Sequence, residues 1–275
     1  MSNVTIERIE DALTEPYPLT AAQIEQYQRD GFIQLDDVVT GADLQAMRDA
    51  VAEAVAEESK DGPTNAGGVY AKIFNQKVNL WARHPEVARY ALSRRLGDIA
   101  ARLEGRTMRI WHDQALFKEP HQDPGNPTPW HQDAPYWPHA DRQHSTSIWI
   151  ALKDATPHNG CMTMLPGTQN AGPLKPVDLD SEHNASDLID QAPQYKGVKG
   201  KILPLKAGSC TFHNGCTFHY AGANQSDDVR EAFVVIYMPE DQTYTGEKHV
   251  VTDPLDMTIG GRFADDVFPV VGRVG

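Results

Sequence analysis

Long apolar runs are missing from this chain. No stretch of about 18 consecutive apolar residues occurs, the length a bilayer-spanning helix needs, so no membrane span is expected. Cysteine is scarce, with three in 275 residues. A small, odd number does not suggest a disulfide framework, and a reducing cytoplasm is the expected compartment. Basic clusters are missing as well. Lys and Arg number 25 against 38 Asp and Glu, a net charge of −13. Without a basic face, nucleic-acid binding is not expected, and the acid excess mainly favours solubility. The first residues, Met1-Ser2-Asn3-Val4, lack a basic region followed by an apolar one, so no secretory leader is expected. No internal repeat or low-complexity tract is evident.

What is there suffices for a sizeable core: 40% of the residues are hydrophobic. Residues 1–18 read as a loose lead-in. A helix is predicted from the N-cap candidate Thr20 to Gly31, then a short strand at Phe32-Ile33-Gln34-Leu35. Leu44, Met47, Val51 and Val55 recur at three or four residues and predict an amphipathic helix over 42–58. A further helical region is predicted over 85–103. Beyond residue 106 the segments turn short, aromatic and β-branched, with turn residues between them. Strands are predicted at 108–118, 128–131, 145–152, 161–165, 201–204, 210–213 and 232–238. This pattern predicts a mainly β sandwich or barrel with flanking helices. The stretch 169–200 lacks periodicity and is rich in Asp, Asn, Gly and Pro, as expected of a lid loop. The chain is expected to be one domain over 1–275.

Three His-x-Asp triplets occur: His121-Gln122-Asp123, His131-Gln132-Asp133 and His139-Ala140-Asp141. With 11 histidines in an acidic chain, chance accounts for about one. Residues i and i+2 of a strand share a face, so such a pair could bite one metal ion. The His121 copy lies in a turn by composition, and the His139 copy in a polar loop. The His131 copy follows a strand start and is surrounded by Trp130, Tyr136 and Trp137, bulk that limits solvent access. The bland alternative is a half-buried, hydrogen-bonded His131 beside a capping Asp133.

A third ligand has to come from elsewhere. Cys210, His213, Cys216 and His219 fall at steps of three, which raises the alternative of a Cys₂His₂ zinc site. Steps of three share a face only in a helix, and Thr, Phe, Gly and Asn make this segment a poor helix. His213 and His219 are six apart, so strand parity does not separate them. A polar turn then follows His219 and leads to Arg230 at the head of a strand that can run back beside it. Arg suits bidentate capture of a carboxylate. The bland reading of Arg230 is a surface partner for Asp227 or Asp228.

Taken together, "WHQD" at 130–133, "SIWIAL" at 147–152, "DATPHNGCMTMLPGT" at 154–168 and "HYAGANQSDDVR" at 219–230 resemble the phytanoyl-CoA dioxygenase family, as does "DGFIQLDDV" at 30–38. The resemblance spans roughly residues 20–240. It implies a double-stranded β-helix, the cupin-like jelly roll, and an iron(II)- and 2-oxoglutarate-dependent oxygenase using O₂. It implies iron ligation by His131, Asp133 and His219, and pairing of Arg230 with the far carboxylate of 2-oxoglutarate. Trp149, Gln114 and Lys72 fall at further co-substrate positions. Ala221 stands where relatives often carry a Ser that contacts 2-oxoglutarate, and Thr168-Gln169 replaces a usual Ser-His pair. His121, His139 and His213 then revert to ordinary roles, and Cys210 and Cys216 to core residues.

The residue types fit the chemistry. Two His and one carboxylate cover one face of iron(II) and leave three positions open. The expected reaction is oxidation, by default hydroxylation, of a C–H bond in a small metabolite, with release of succinate and CO₂. The expected partner is that small molecule, with no nucleic acid or membrane, in a monomer or homo-oligomer. Two alternatives are a facial-triad metalloenzyme that does not use 2-oxoglutarate, and a non-catalytic carbohydrate-binding jelly roll in which Trp130, Tyr136 and Trp137 stack on sugar.

Overall fold

The computed structural model of the chain describes residues 9–60, 75–120, 127–177 and 186–274. Two antiparallel sheets face each other, with helices covering the outer side of the larger. The larger has strand order β1 (Phe32–Leu35), β8 (Cys210–Asn214), β5 (Thr146–Ala151), β10 (Arg230–Pro239), β3 (Met108–Lys118) and β11 (Val270–Gly272), and β2 (Asn75–Val78) also pairs with β3. The smaller has the order β4 (Thr128–His131), β9 (His219–Ala221), β6 (Met162–Met164) and β7 (Lys201–Leu203). This is the expected jelly roll. The predicted strands occur within a few residues of their expected bounds, while β2, β9 and β11 were not predicted.

Strand periodicity assigns the two faces. On β10, Phe233, Val235 and Tyr237 pack toward the helices, and Ala232, Val234 and Ile236 pack between the sheets. On β5, Ile148 and Ile150 face the helices while Trp149 and Ala151 face inward. Cys210 sits in the helix-side core and Cys216 in the inter-sheet core, as expected of buried free thiols.

Helix α1 (Ala21–Asp30) starts where predicted. Thr20 Oγ1 accepts from Gln23 N at 3.3 Å and Thr20 N donates to Gln23 Oε1 at 2.8 Å, a reciprocal cap on otherwise orphan groups. Gly31 ends it at φ 81, a left-handed backbone that favours glycine. Helix α2 covers Gly41–Glu58. The single region predicted over 85–103 is two helices, α3 (Pro85–Ala91) and α4 (Arg94–Glu104). The chain turns at Leu92 and Ser93, where Ser93 leaves the helical backbone at φ −58 and ψ 131, so the apolar period restarts with a new axis. No helix among the described residues is long and apolar enough to cross a membrane.

The segment 169–200 carries more structure than a loop. It holds a 3-10 turn at Thr168–Ala171, helix α5 (Ser186–Gln191) and another 3-10 turn at Pro193–Tyr195. Leu188 and Ala192 form a third apolar cluster with Leu165 and Phe218, and Trp130 and Tyr195 pack against it.

Candidate active site

His131 ends β4 and His219 opens β9, and the two are register partners in the smaller sheet. Their rings lie 4.1 Å apart between centroids. Each Nδ1 sits beside a backbone carbonyl two residues back: His131 to Pro129 O at 2.8 Å, His219 to Thr217 O at 2.9 Å. A carbonyl only accepts, so Nδ1 carries the proton and Nε2 presents its lone pair inward. Asp133 Oδ1 lies 3.4 Å from His131 Nε2 and 3.5 Å from His219 Nε2. Donor atoms of these three residues all lie within 4.8 Å of one another. Two neutral imidazoles and one carboxylate meeting at a point are the donor set of a non-heme iron site with open positions.

The electrostatics favour the metal-binding protonation states. Burial, then neighbouring His219, lowers the His131 pKa, so its Nε2 stays free of a proton. Burial pushes the Asp133 carboxyl up. His219, His131 and His213 together outweigh that and hold it well below the usual carboxylate range.

Asp133 is not on a strand. β4 ends at His131, and Asp133 takes φ −79 and ψ −43 at the head of a 3-10 turn over Ala134–Tyr136. The shared-face argument therefore fails for this pair, although the two side chains do converge. His213 is not an ordinary core histidine either. Its Nε2 lies 3.2 Å from Asp133 Oδ2, and Ser147 Oγ donates to the same oxygen at 3.2 Å. Ser147 was legible in principle, since strand parity places it on the face of Trp149. His139 lies in no polar loop. It is fully buried, edge-on to Trp111 at 4.7 Å and to Phe263 at 5.5 Å. His121 and Lys72 lie outside the described residues.

Gln132, between the two candidate donors His131 and Asp133, points its amide elsewhere. Its Nε2 donates to Gly172 O at 2.9 Å and Cys216 O at 2.7 Å, and its Oε1 accepts from Leu174 N at 2.9 Å. The amide thus ties the site to the segment after β6. Gln132→Ala strands three backbone groups, Cys216 O in a buried place and Gly172 O and Leu174 N in partly buried ones, and a buried group left unmet costs about 1–3 kcal/mol. A loss of roughly 2–4 kcal/mol is expected, read by denaturant unfolding. A stability change below about 0.5 kcal/mol would show that water replaces the amide.

A cavity between the sheets connects the three candidate metal donors to Arg230, and Gln114, Trp149, Trp137, Thr128 and Ala221 are among its lining residues. Arg230 opens β10 and is 1% exposed, which rules out the surface reading. Its guanidinium carbon lies 5.0 Å from the Trp149 ring centre, a cation–π contact. Nη1 is 3.5 Å from Gly160 O. Gly160 has φ +85, and a Cβ there would meet Gly222 O at 2.3 Å, so only glycine fits. Gln114 Oε1 accepts from Gln76 Nε2 at 3.1 Å at the wall. Thr128 Oγ1 lines the same cavity and has no hydrogen-bond partner among the described residues. Trp130 is turned away: it stacks on Tyr220 at 5.5 Å and packs into the third cluster, so it offers no sugar platform beside Trp137.

Comparison with known proteins agrees with this geometry. The family model described as Phytanoyl-CoA dioxygenase (PhyH) matches residues 27–232. The peroxisomal phytanoyl-CoA dioxygenase of Homo sapiens is 24% identical over 257 residues, 88% of this chain and 75% of that protein. The ectoine dioxygenase of Sphingopyxis alaskensis is 26% identical over 182 residues, 65% of this chain and 59% of that protein. Among solved structures, the non-heme alpha-ketoglutarate-dependent carbocyclase SnoK from nogalamycin biosynthesis has a TM-score of 0.78 at 28% identity, covering 98% of this chain and 100% of its own. The epimerase SnoN, in complex with Fe3+, alpha-ketoglutarate and nogalamycin RO, shares the fold at a TM-score of 0.74 and 23% identity, covering 91% of this chain and 97% of its own. With the matched region spanning most of the sequence and a two-His, one-carboxylate cluster in place, the chain belongs to the phytanoyl-CoA dioxygenase (PhyH) family and is an iron- and 2-oxoglutarate-dependent dioxygenase.

Proposed function

We propose that this enzyme oxidises an unactivated C–H bond of a small metabolite, with hydroxylation as the principal outcome. His131, Asp133 and His219 hold the iron, and Arg230 binds the distal carboxylate of 2-oxoglutarate. The observation that carries this is one cavity lined both by three converging metal donors and by a buried arginine. Iron(II) and 2-oxoglutarate together supply O₂ activation, so that one oxygen atom enters succinate and the other the substrate, with loss of CO₂. The protein binds, orients and shields. Trp149 flanks the Arg230 guanidinium, and the neighbouring walls Val234, Ile236 and Met162 are apolar and limit water. Gln114 supplies a polar edge to that wall. Ala221 lines it without a hydroxyl, so co-substrate binding relies more on Arg230.

The likeness to SnoK supports a second outcome, oxidative ring closure, and a substrate drawn from secondary metabolism. Both outcomes start from the same hydrogen abstraction. The whole chain acts as a single catalytic domain, and its three buried free cysteines suit a reducing cytoplasm. Reconstitution with iron(II), followed by succinate release and O₂ uptake across a panel of candidate metabolites, tests the reading. A product gaining one oxygen supports hydroxylation, and one losing two hydrogens supports ring closure or desaturation. No succinate with iron, 2-oxoglutarate and O₂ present, across the panel and without substrate, would remove the proposal.

A further inference from the structure

Two of the three metal donors are aimed by their own backbone neighbours, through the Nδ1 contacts to Pro129 O and Thr217 O. Asp133 lies past the end of its strand and is held from the opposite sheet. Ser147 on β5 and His213 on β8 are register partners, so their side chains stand on one face. Both reach Asp133 Oδ2, each at 3.2 Å. An ionised carboxylate oxygen offers about two lone-pair sites, so two donors saturate it. Oδ1 alone then faces Nε2 of His131 and His219.

We propose that His213, seconded by Ser147, is a positioning residue that locks Asp133 as a one-oxygen ligand and so keeps a coordination position open for O₂. The inference rests on the iron-site reading above. Three single-atom protein ligands fill half of an octahedral iron(II), the keto acid takes two further positions, and one remains. A released Oδ2 can turn onto the metal and close that last position. For this role His213 must donate from Nε2 and leave Nδ1 unprotonated. Nδ1 is buried with no hydrogen-bond partner among the described residues, so none of their groups draws the proton to that side.

Nitric oxide reports on the open position without turnover. Parent and variants are loaded anaerobically with iron(II) and 2-oxoglutarate, then titrated with nitric oxide while the high-spin iron–nitrosyl EPR signal is followed. His213→Ala is expected to keep iron within about threefold of the parent affinity, because the freed Oδ2 can exchange its lost hydrogen bond for a contact to the metal, so that the outer-shell loss falls on the open position instead. It weakens nitric oxide binding by about tenfold or more, the scale set by outer-shell partners of metal ligands. Ser147→Ala removes one of the two donors and gives a smaller loss in the same direction. His213→Gln keeps an N–H donor and restores binding to within about threefold of the parent. Unchanged nitric oxide affinity in His213→Ala and Ser147→Ala would overturn the proposal. So would loss of iron itself in both, because the pair would then be holding the ligand in place without setting its denticity. Should His213→Ala fail to fold, Ser147→Ala decides: unchanged nitric oxide affinity in it overturns the lock. A parent protein that takes up neither iron nor 2-oxoglutarate would overturn the underlying site assignment instead, which separates the two failures.

Discussion

Alanine at His131, Asp133 or His219 is expected to abolish 2-oxoglutarate turnover and to strip iron from the protein. Each residue supplies one of three donors that meet within 4.8 Å. Removing an outer-shell partner of a metal ligand already costs roughly 10–100-fold in affinity or activity, and a direct ligand costs more. Metal analysis after dialysis gives the first readout and succinate formation the second. His158→Ala is the control, an exposed histidine far along the chain from the ligands in sequence. Iron retained at parent level in His219→Ala would show that the distal donor has been misassigned, and His213 would be the residue to examine next. Retention in all three variants would remove the site altogether.

Most of the architecture was legible because the segments after residue 106 are short, aromatic and β-branched, with turn residues between them. The inner face of β10 reads Ala232, Val234, Ile236 and its outer face Phe233, Val235, Tyr237, and burial on both sides gives a continuous apolar run. The N-cap at Thr20 was legible for a similarly local reason, since the Thr20–Gln23 box is complete within four residues. What escaped the sequence depends on distance. The short strands β9 and β11 are three residues each and exist through pairing with β4, β6 and β3, partners far away in the chain. The two residues that steady Asp133 are 14 and 80 positions from it. Strand parity puts Ser147 on the face of Trp149, but nothing local points either residue at Asp133. The His131-Asp133 spacing pointed to a pair that does converge, but by an argument that does not hold here, because the strand ends between them. The convergence comes from the turn at Asp133 and from donors on the facing sheet.

Arg230 is where sequence and structure combine most usefully, and it gives the second large effect. Its place at the head of a strand was readable, but only the fold shows that it is buried against Trp149 in the cavity that holds the metal donors. A guanidinium in that setting binds a carboxylate through paired, charge-assisted hydrogen bonds. Removing one member of a buried charge pair typically costs about 2–5 kcal/mol. At about 1.4 kcal/mol per decade, Arg230→Ala should weaken 2-oxoglutarate binding by roughly 30-fold or more. Iron affinity measured without the keto acid should stay within about threefold, since Arg230 is not among the clustered metal donors. Arg230→Lys is expected to recover only part of the loss, because an ammonium keeps the charge but lacks the planar fork. Calorimetry on the anaerobic iron(II) protein separates the two affinities, and thermal melts of the same samples show whether each variant is folded. Normal 2-oxoglutarate binding in folded Arg230→Ala would place the distal carboxylate elsewhere in the cavity. Equal losses for the Ala and Lys variants would mean that the contact depends wholly on guanidinium geometry.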